Sequence, residues 1–149
     1  MMLKNVHWMS RARAEQISPK TSEAMISISV PNDPAQLKSG WSRDRLLRLQ
    51  FHDADTEGNV TLMPHQQLHD HGKAILFNEQ DARKVINFTE ENKNRVQTIY
   101  VHCDAGISRS AAIAKFIAQM YKLPFPESYM IYNKHVFRVL TNTYNKMMY

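Results

Sequence analysis

The 149-residue chain is poor in three residue types: it has one cysteine, four glycines and six prolines. A single cysteine excludes an internal disulfide and a cysteine-based zinc or iron–sulfur site. So few glycines and prolines exclude a collagen-like or low-complexity chain. No apolar run approaches the about 18 residues needed to cross a bilayer, so neither a membrane span nor a membrane partner is expected. The opening MMLKNVHWMS lacks the apolar stretch of a secretory signal. Basic residues are in excess, with a net charge of +5, but they are spread along the chain and form no run. The excess favours anionic partners, and its dispersal argues against a nucleic-acid-binding tail.

What is present suits one globular core, since 43% of the residues are hydrophobic. The expectation is a single domain spanning 1–149, soluble and cytoplasmic. Short apolar segments alternate with longer helical ones, which predicts an α/β fold with a central, mostly parallel sheet of about four or five strands flanked by helices. Strands are expected at Val6–Trp8, Met25–Val30, Leu46–Phe51 and Thr98–His102. Asn78 with Asp81 three residues on predicts a capped helix running to about Asn92. Ser110–Tyr121 has no glycine or proline and is apolar on most sides, as a largely buried helix is. Val136, Val139, Leu140 and Thr143 keep helical spacing near the C-terminus, and the Tyr144–Tyr149 tail reads either as packing or as a frayed end. Residues 53–74 are polar and punctuated by Gly58, Pro64 and Gly72, so they read as a long loop or lid.

The lone thiol, Cys103, lies in the most informative stretch, YVHCDAGISRS. A strand ends at the cysteine, a tight turn follows, and a helix begins at Arg109 and Ser110. Successive amides of such a turn, together with the helix dipole, make a nest for an anion. The same setting lowers a thiol's pKa and makes it a nucleophile. Gly106 permits the inward turn of the amides of Asp104, Ala105, Gly106, Ile107, Ser108 and Arg109. Arg109 can hold two phosphate oxygens at once. Ser110 can hydrogen-bond the sulfur, and His102 can orient the loop from behind.

His102, Cys103, Gly106, Arg109 and Ser110 hold the spacing H-C-x-x-G-x-x-R-S. That pattern resembles the phosphate-binding loop of cysteine-dependent protein phosphatases. The chain is similar to a compact, dual-specificity-like member of the tyrosine-phosphatase superfamily, most closely over Thr98–Tyr121. The resemblance implies a phosphomonoesterase that needs no metal or cofactor. It implies a cysteinyl-phosphate intermediate and phosphorylated protein substrates carrying phosphotyrosine, with phosphoserine or phosphothreonine as an extension. The alternatives are a phosphatase for RNA 5′ ends or phosphoinositides, or a catalytically silent module that binds phosphorylated ligands. Lysines inside the loop, common where phosphoinositides are hydrolysed, are missing here, and Asp104 adds negative charge, which disfavours multiply anionic substrates. Oxidation of the thiol is expected as a vulnerability rather than a function.

Expelling the substrate's oxygen requires an acid on a neighbouring loop. Leu46–Phe51 leads into Asp53 and Asp55. In the resembled family the acid is an aspartate that follows such a strand, so Asp53 comes first, Asp55 second, and Asp70 third. Asp53 stands 50 residues before Cys103, a longer gap than in many compact members.

Other signals carry less. The DxDxEG stretch at Asp53 resembles the start of a calcium loop, but its twelfth position is Pro64 rather than glutamate. His65, His69 and His71 cluster without an acidic partner motif and are expected to be solvated. Asn133, followed by Val136 and Phe137, resembles an element near the start of the family's last helix and is expected to be structural. Arg11 and Arg13 are expected on a solvated surface, with contact to acids or to the site as the alternative.

Overall fold

The computed structural model describes residues 1–55, 60–61 and 74–149. In chain order the elements are β1 (Asn5–Ser10), α1 (Arg11–Ala14), β2 (Glu23–Ser29), β3 (Leu46–Gln50), β4 (Asp53–Ala54), β5 (Val60–Thr61), α2 (Glu79–Asn92), β6 (Thr98–Cys103), α3 (Arg109–Tyr121) and α4 (Lys134–Met148). The main sheet has four strands in the order β1-β6-β2-β3, and every neighbouring pair is parallel. The fold is α/β, as the alternation of segments predicts.

Side chains alternate across the strands with a period of two, and the two sets bury against different layers. Ala24, Ile26 and Ile28 of β2, with Ile99, Val101 and Cys103 of β6, join the large core beneath α2, α3 and α4. Met25 and Met9 face the other way, into a smaller cluster with Ala14, Ile17, Leu37, Trp41, Leu46 and Tyr100. Both faces are covered, so that Ser27 and Ser29 are buried along with the apolar residues of this strand.

The strand at Leu46 ends at Gln50, one residue before the expected Phe51, whose amide still donates to Ser29 O. The capping box at Asn78 is present: its side chain accepts from the Asp81 amide, and Asp81 accepts from the Asn78 amide. α4 is longer than the apolar spacing indicates. Tyr144 and Met147 pack on the core, whereas Tyr149 is 99% exposed, so the tail packs and frays only at its tip.

The fold departs from the sequence reading at further places, β2 running over Glu23–Ser29 rather than Met25–Val30. β1 is six residues rather than three, because parallel pairing with all of β6 extends it. The single turn α1 is added, capped by Ser10 accepting from the Arg13 amide. The stretch read as one loop from 53 to 74 begins with a two-stranded antiparallel ladder, Asp53 opposite Thr61 and Ala54 opposite Val60. Strands this short have no measurable periodicity, so composition alone reads them as loop. Most of the remaining loop, with His65, His69, Asp70, His71 and Pro64, lies outside the described residues. No helix among the described residues is long and apolar enough to cross a membrane.

Candidate active site

Parallel pairing places the carboxyl ends of β1, β6, β2 and β3 along one edge of the sheet, the usual place for ligands in open α/β folds. Cys103 ends β6, one of the two central strands, and α3 starts six residues further on at Arg109. The cysteine is 2% exposed. Its Sγ lies 3.1 Å from Ser110 Oγ, and Ser110 is itself fully buried.

The loop between them is tied down by its carbonyls. Asp104 O accepts from the Arg11 amide at 3.1 Å, and Ile107 O accepts from the Tyr129 hydroxyl at 2.5 Å. Ser108 O accepts from the Asn133 and Ala112 amides. In contrast, no hydrogen bond among the described residues starts from the amides of Ala105, Gly106, Ile107, Ser108 or Arg109. Ser108 occupies the N-cap of α3 but makes no cap with its side chain; its Oγ donates instead to Asp53 Oδ1 at 2.9 Å. The helix end therefore keeps its uncompensated N–H groups and their positive partial charge.

Gly106 has φ +72°, a conformation that a side chain disfavours. A Cβ here would stand 2.4 Å from Met9 C and from Ser10 N, both backbone atoms. The junction of β1 and α1 thus backs the loop so closely that only glycine fits.

Arg109 is 4% exposed. Its Nη1 donates to Phe51 O at 2.9 Å and its Nη2 to Asp104 Oδ2 at 3.3 Å, while Nε is buried with no partner among the described residues. An unpaired buried donor on a cation is costly, and an anion in the loop would satisfy it. Asp104 turns back into the protein, with its side chain 5% exposed.

Asp53, the first residue of β4, reaches the same loop. Its Oδ1 accepts from both Ser108 Oγ and Asn133 Nδ2, the latter at 2.8 Å, and Oδ2 takes no hydrogen bond among the described residues. Asp55 is exposed. Asp53 is thus tied to the cysteine loop through Ser108, and Asp70 lies outside the described residues.

His102 is fully buried behind the loop. Its Nε2 is 2.6 Å from Ser27 Oγ and its Nδ1 is 3.3 Å from Cys103 O. Burial pushes its pKa down to about 4, because a charged imidazolium cannot be hydrated there. It is neutral near pH 7 and serves as a hydrogen-bonded brace between β2 and the loop.

Two residues do more than the sequence indicates. Asn133 caps α4 by accepting from the Val136 amide, as a structural residue should, but its Nδ2 also holds Asp53 and donates to Ala54 O. Its side chain thus joins a helix cap to the candidate acid, a link that the expectation of a structural role did not include. Arg11 is a correction to the expected solvated surface. Its guanidinium donates to the carbonyls of Asp33 and Pro34 at 2.8 and 2.7 Å and pairs with Glu15, Asp33 and Asp104. Arg13 is exposed, as expected. The reason for Arg11 is the tight turn α1, which swings its side chain over the cysteine loop.

Among the described residues no group of three histidine, cysteine, aspartate or glutamate side chains is arranged to hold a metal. No protein-family model matches the chain, and no curated protein matches it significantly.

Proposed function

We propose that the protein is a cysteine-dependent phosphomonoesterase of the tyrosine-phosphatase superfamily. It hydrolyses phosphotyrosine, and phosphoserine or phosphothreonine, in cytoplasmic proteins. One observation carries the reading: the loop that follows the only thiol has a run of amides with no acceptor among the described residues, and it leads to an arginine whose buried Nε has no partner among them.

In the first step Cys103 Sγ attacks phosphorus and the phosphorus–oxygen ester bond breaks. The free amides and Arg109 hold the non-bridging oxygens, whose charge grows in the transition state. Asp53 gives its proton to the departing oxygen. In the second step the Asp53 carboxylate takes a proton from water, the water oxygen attacks phosphorus, and the sulfur–phosphorus bond breaks. The sulfur leaves as thiolate, and the Ser110 hydroxyl donates to it. Inorganic phosphate departs and Asp53 is again protonated for the next cycle.

Several features favour protein substrates over multiply anionic ones. The loop carries no lysine, and Asp104 adds a negative charge. Exposed Ile107, at 47%, offers an apolar neighbour to the phosphate.

The test is hydrolysis of an aryl phosphate by purified protein. Cys103→Ser is expected to abolish turnover, and rapid acid quench of the wild type should trap one phosphate on Cys103, visible as a mass increase. Retained turnover in Cys103→Ser would refute the mechanism. Competition between a phosphopeptide and a 5′-phosphorylated RNA then decides the substrate class, with the peptide expected to compete better.

A further inference from the structure

Asp104 poses an electrostatic problem for the loop in which it sits. Its carboxylate is 5% exposed and lies beside the arginine assigned to the phosphoryl group. A buried negative charge this close to an incoming dianion should repel it strongly, since screening by salt is weak away from solvent. Yet Asp104 also constrains Arg109, with Oδ2 at 3.3 Å from Nη2 while the Phe51 carbonyl takes Nη1.

The other side of the carboxylate meets a second cation. Arg11 Nη1 lies 3.7 Å from Asp104 Oδ1, and the Arg11 amide donates to Asp104 O. Arg11 cannot wander: the carbonyls of Asp33 and Pro34 and the carboxylates of Glu15 and Asp33 fix its guanidinium. The order in space is guanidinium, carboxylate, guanidinium, with the phosphoryl pocket at the far end.

We propose that Arg11 is a positioning residue that offsets the charge of Asp104, so that Asp104 can orient Arg109 without repelling the phosphoryl group. The inference rests on the reading of the Cys103 loop as an oxyanion site. It assigns the added negative charge of this loop a purpose, the alignment of Arg109, and names the residue that makes the charge tolerable.

The experiment measures tungstate binding by calorimetry, together with aryl phosphate turnover, in wild type, Arg11→Met, Asp104→Asn and the double variant. Arg11→Met should weaken tungstate binding about tenfold, the scale on which a nearby unit charge shifts an ionic equilibrium. The double variant should return to within about twofold of wild type, because the neutral amide needs no counter-charge and still accepts from Arg109. A purely structural role for Arg11, as the tie to Asp33 and Pro34, predicts no such rescue, and its absence would overturn the proposal. If Arg11→Met does not fold, Arg11→Gln keeps a donor for those carbonyls without the charge, and the same rescue pattern is expected. Wild-type turnover with tungstate affinity unchanged in Arg11→Met would sink this inference and leave the phosphatase reading standing. Tungstate binding with rescue but no turnover would do the reverse. A wild type that binds no tungstate would overturn both.

Discussion

Asn133 donates through Nδ2 to Asp53 Oδ1 at 2.8 Å, linking two residues 80 positions apart in the chain. The same side chain caps α4 and holds the Ala54 carbonyl. One amide thus fixes the start of a helix, the end of a strand and the carboxylate that faces the cysteine loop. The arrangement makes α4 part of the site although none of its side chains carries the chemistry.

Asn133→Asp separates these roles. An aspartate caps a helix about as well as asparagine, but it sets a second carboxylate against Asp53. Turnover of a substrate with a poor leaving group should fall about tenfold or more, as expected when a general acid is misplaced, while the melting temperature changes far less. A melting loss proportionate to the activity loss would point to α4 stability instead.

Asp53→Ala should slow formation of the cysteinyl-phosphate by about 100-fold for alkyl leaving groups and much less for an activated aryl phosphate, which needs little protonation. Stopped-flow bursts with the two substrate types make the comparison. If Asp55→Ala shows this dependence and Asp53→Ala does not, the acid is misassigned.

Ser110→Ala removes the hydroxyl 3.1 Å from Cys103 Sγ. Its expected effect lies on the second step, where sulfur leaves. kcat should fall about tenfold or more, the scale of losing one hydrogen bond to a charged group, while the burst amplitude persists. Loss of the burst itself would place the hydroxyl in the attack step.

Gly106→Ala tests the close approach of β1. Positive φ and a Cβ within 2.4 Å of the Met9 and Ser10 backbone cannot both be relieved by side-chain rotation. A stability loss of about 3 kcal/mol or more is expected in denaturant titrations, the scale of a strained or overpacked buried position.

His102 couples the loop to pH. Burial lowers its pKa to about 4 in the folded protein, against about 6.5 when unfolded. Between these values the unfolded chain binds more protons, so stability rises with pH across the window. Acidification from about pH 6.5 to 4 should therefore cost about 3 kcal/mol through this residue, levelling off below that. His102→Asn should flatten the difference, measured as melting temperature against pH, and an unchanged slope would place the proton elsewhere.

Much of the site was legible because its parts are close in sequence. The interval from His102 to Ser110 sets one thiol, one arginine and one hydroxyl around a turn, whatever the rest of the chain does. Strand alternation in LLRLQF and the Asn78 capping box are equally local, since side-chain direction and cap hydrogen bonds act over a few residues. The strand order, the short β4–β5 ladder and α1 were not legible, because pairing across the sheet decides them.

The sequence by itself determined a cysteine-bearing loop between a strand and a helix, and the α/β alternation around it. Only the tertiary structure decided that the Asp53 carboxylate meets that loop, and that Arg11 and Asn133 contact it. Those two depend on long-range contacts: Arg11 reaches Asp104 because β1 pairs with β6, and Asn133 reaches Asp53 because α4 starts beside β4. Hydrogen bonds and ion pairs between distant segments are fixed by packing of the core rather than by spacing along the chain, so no local pattern encodes them.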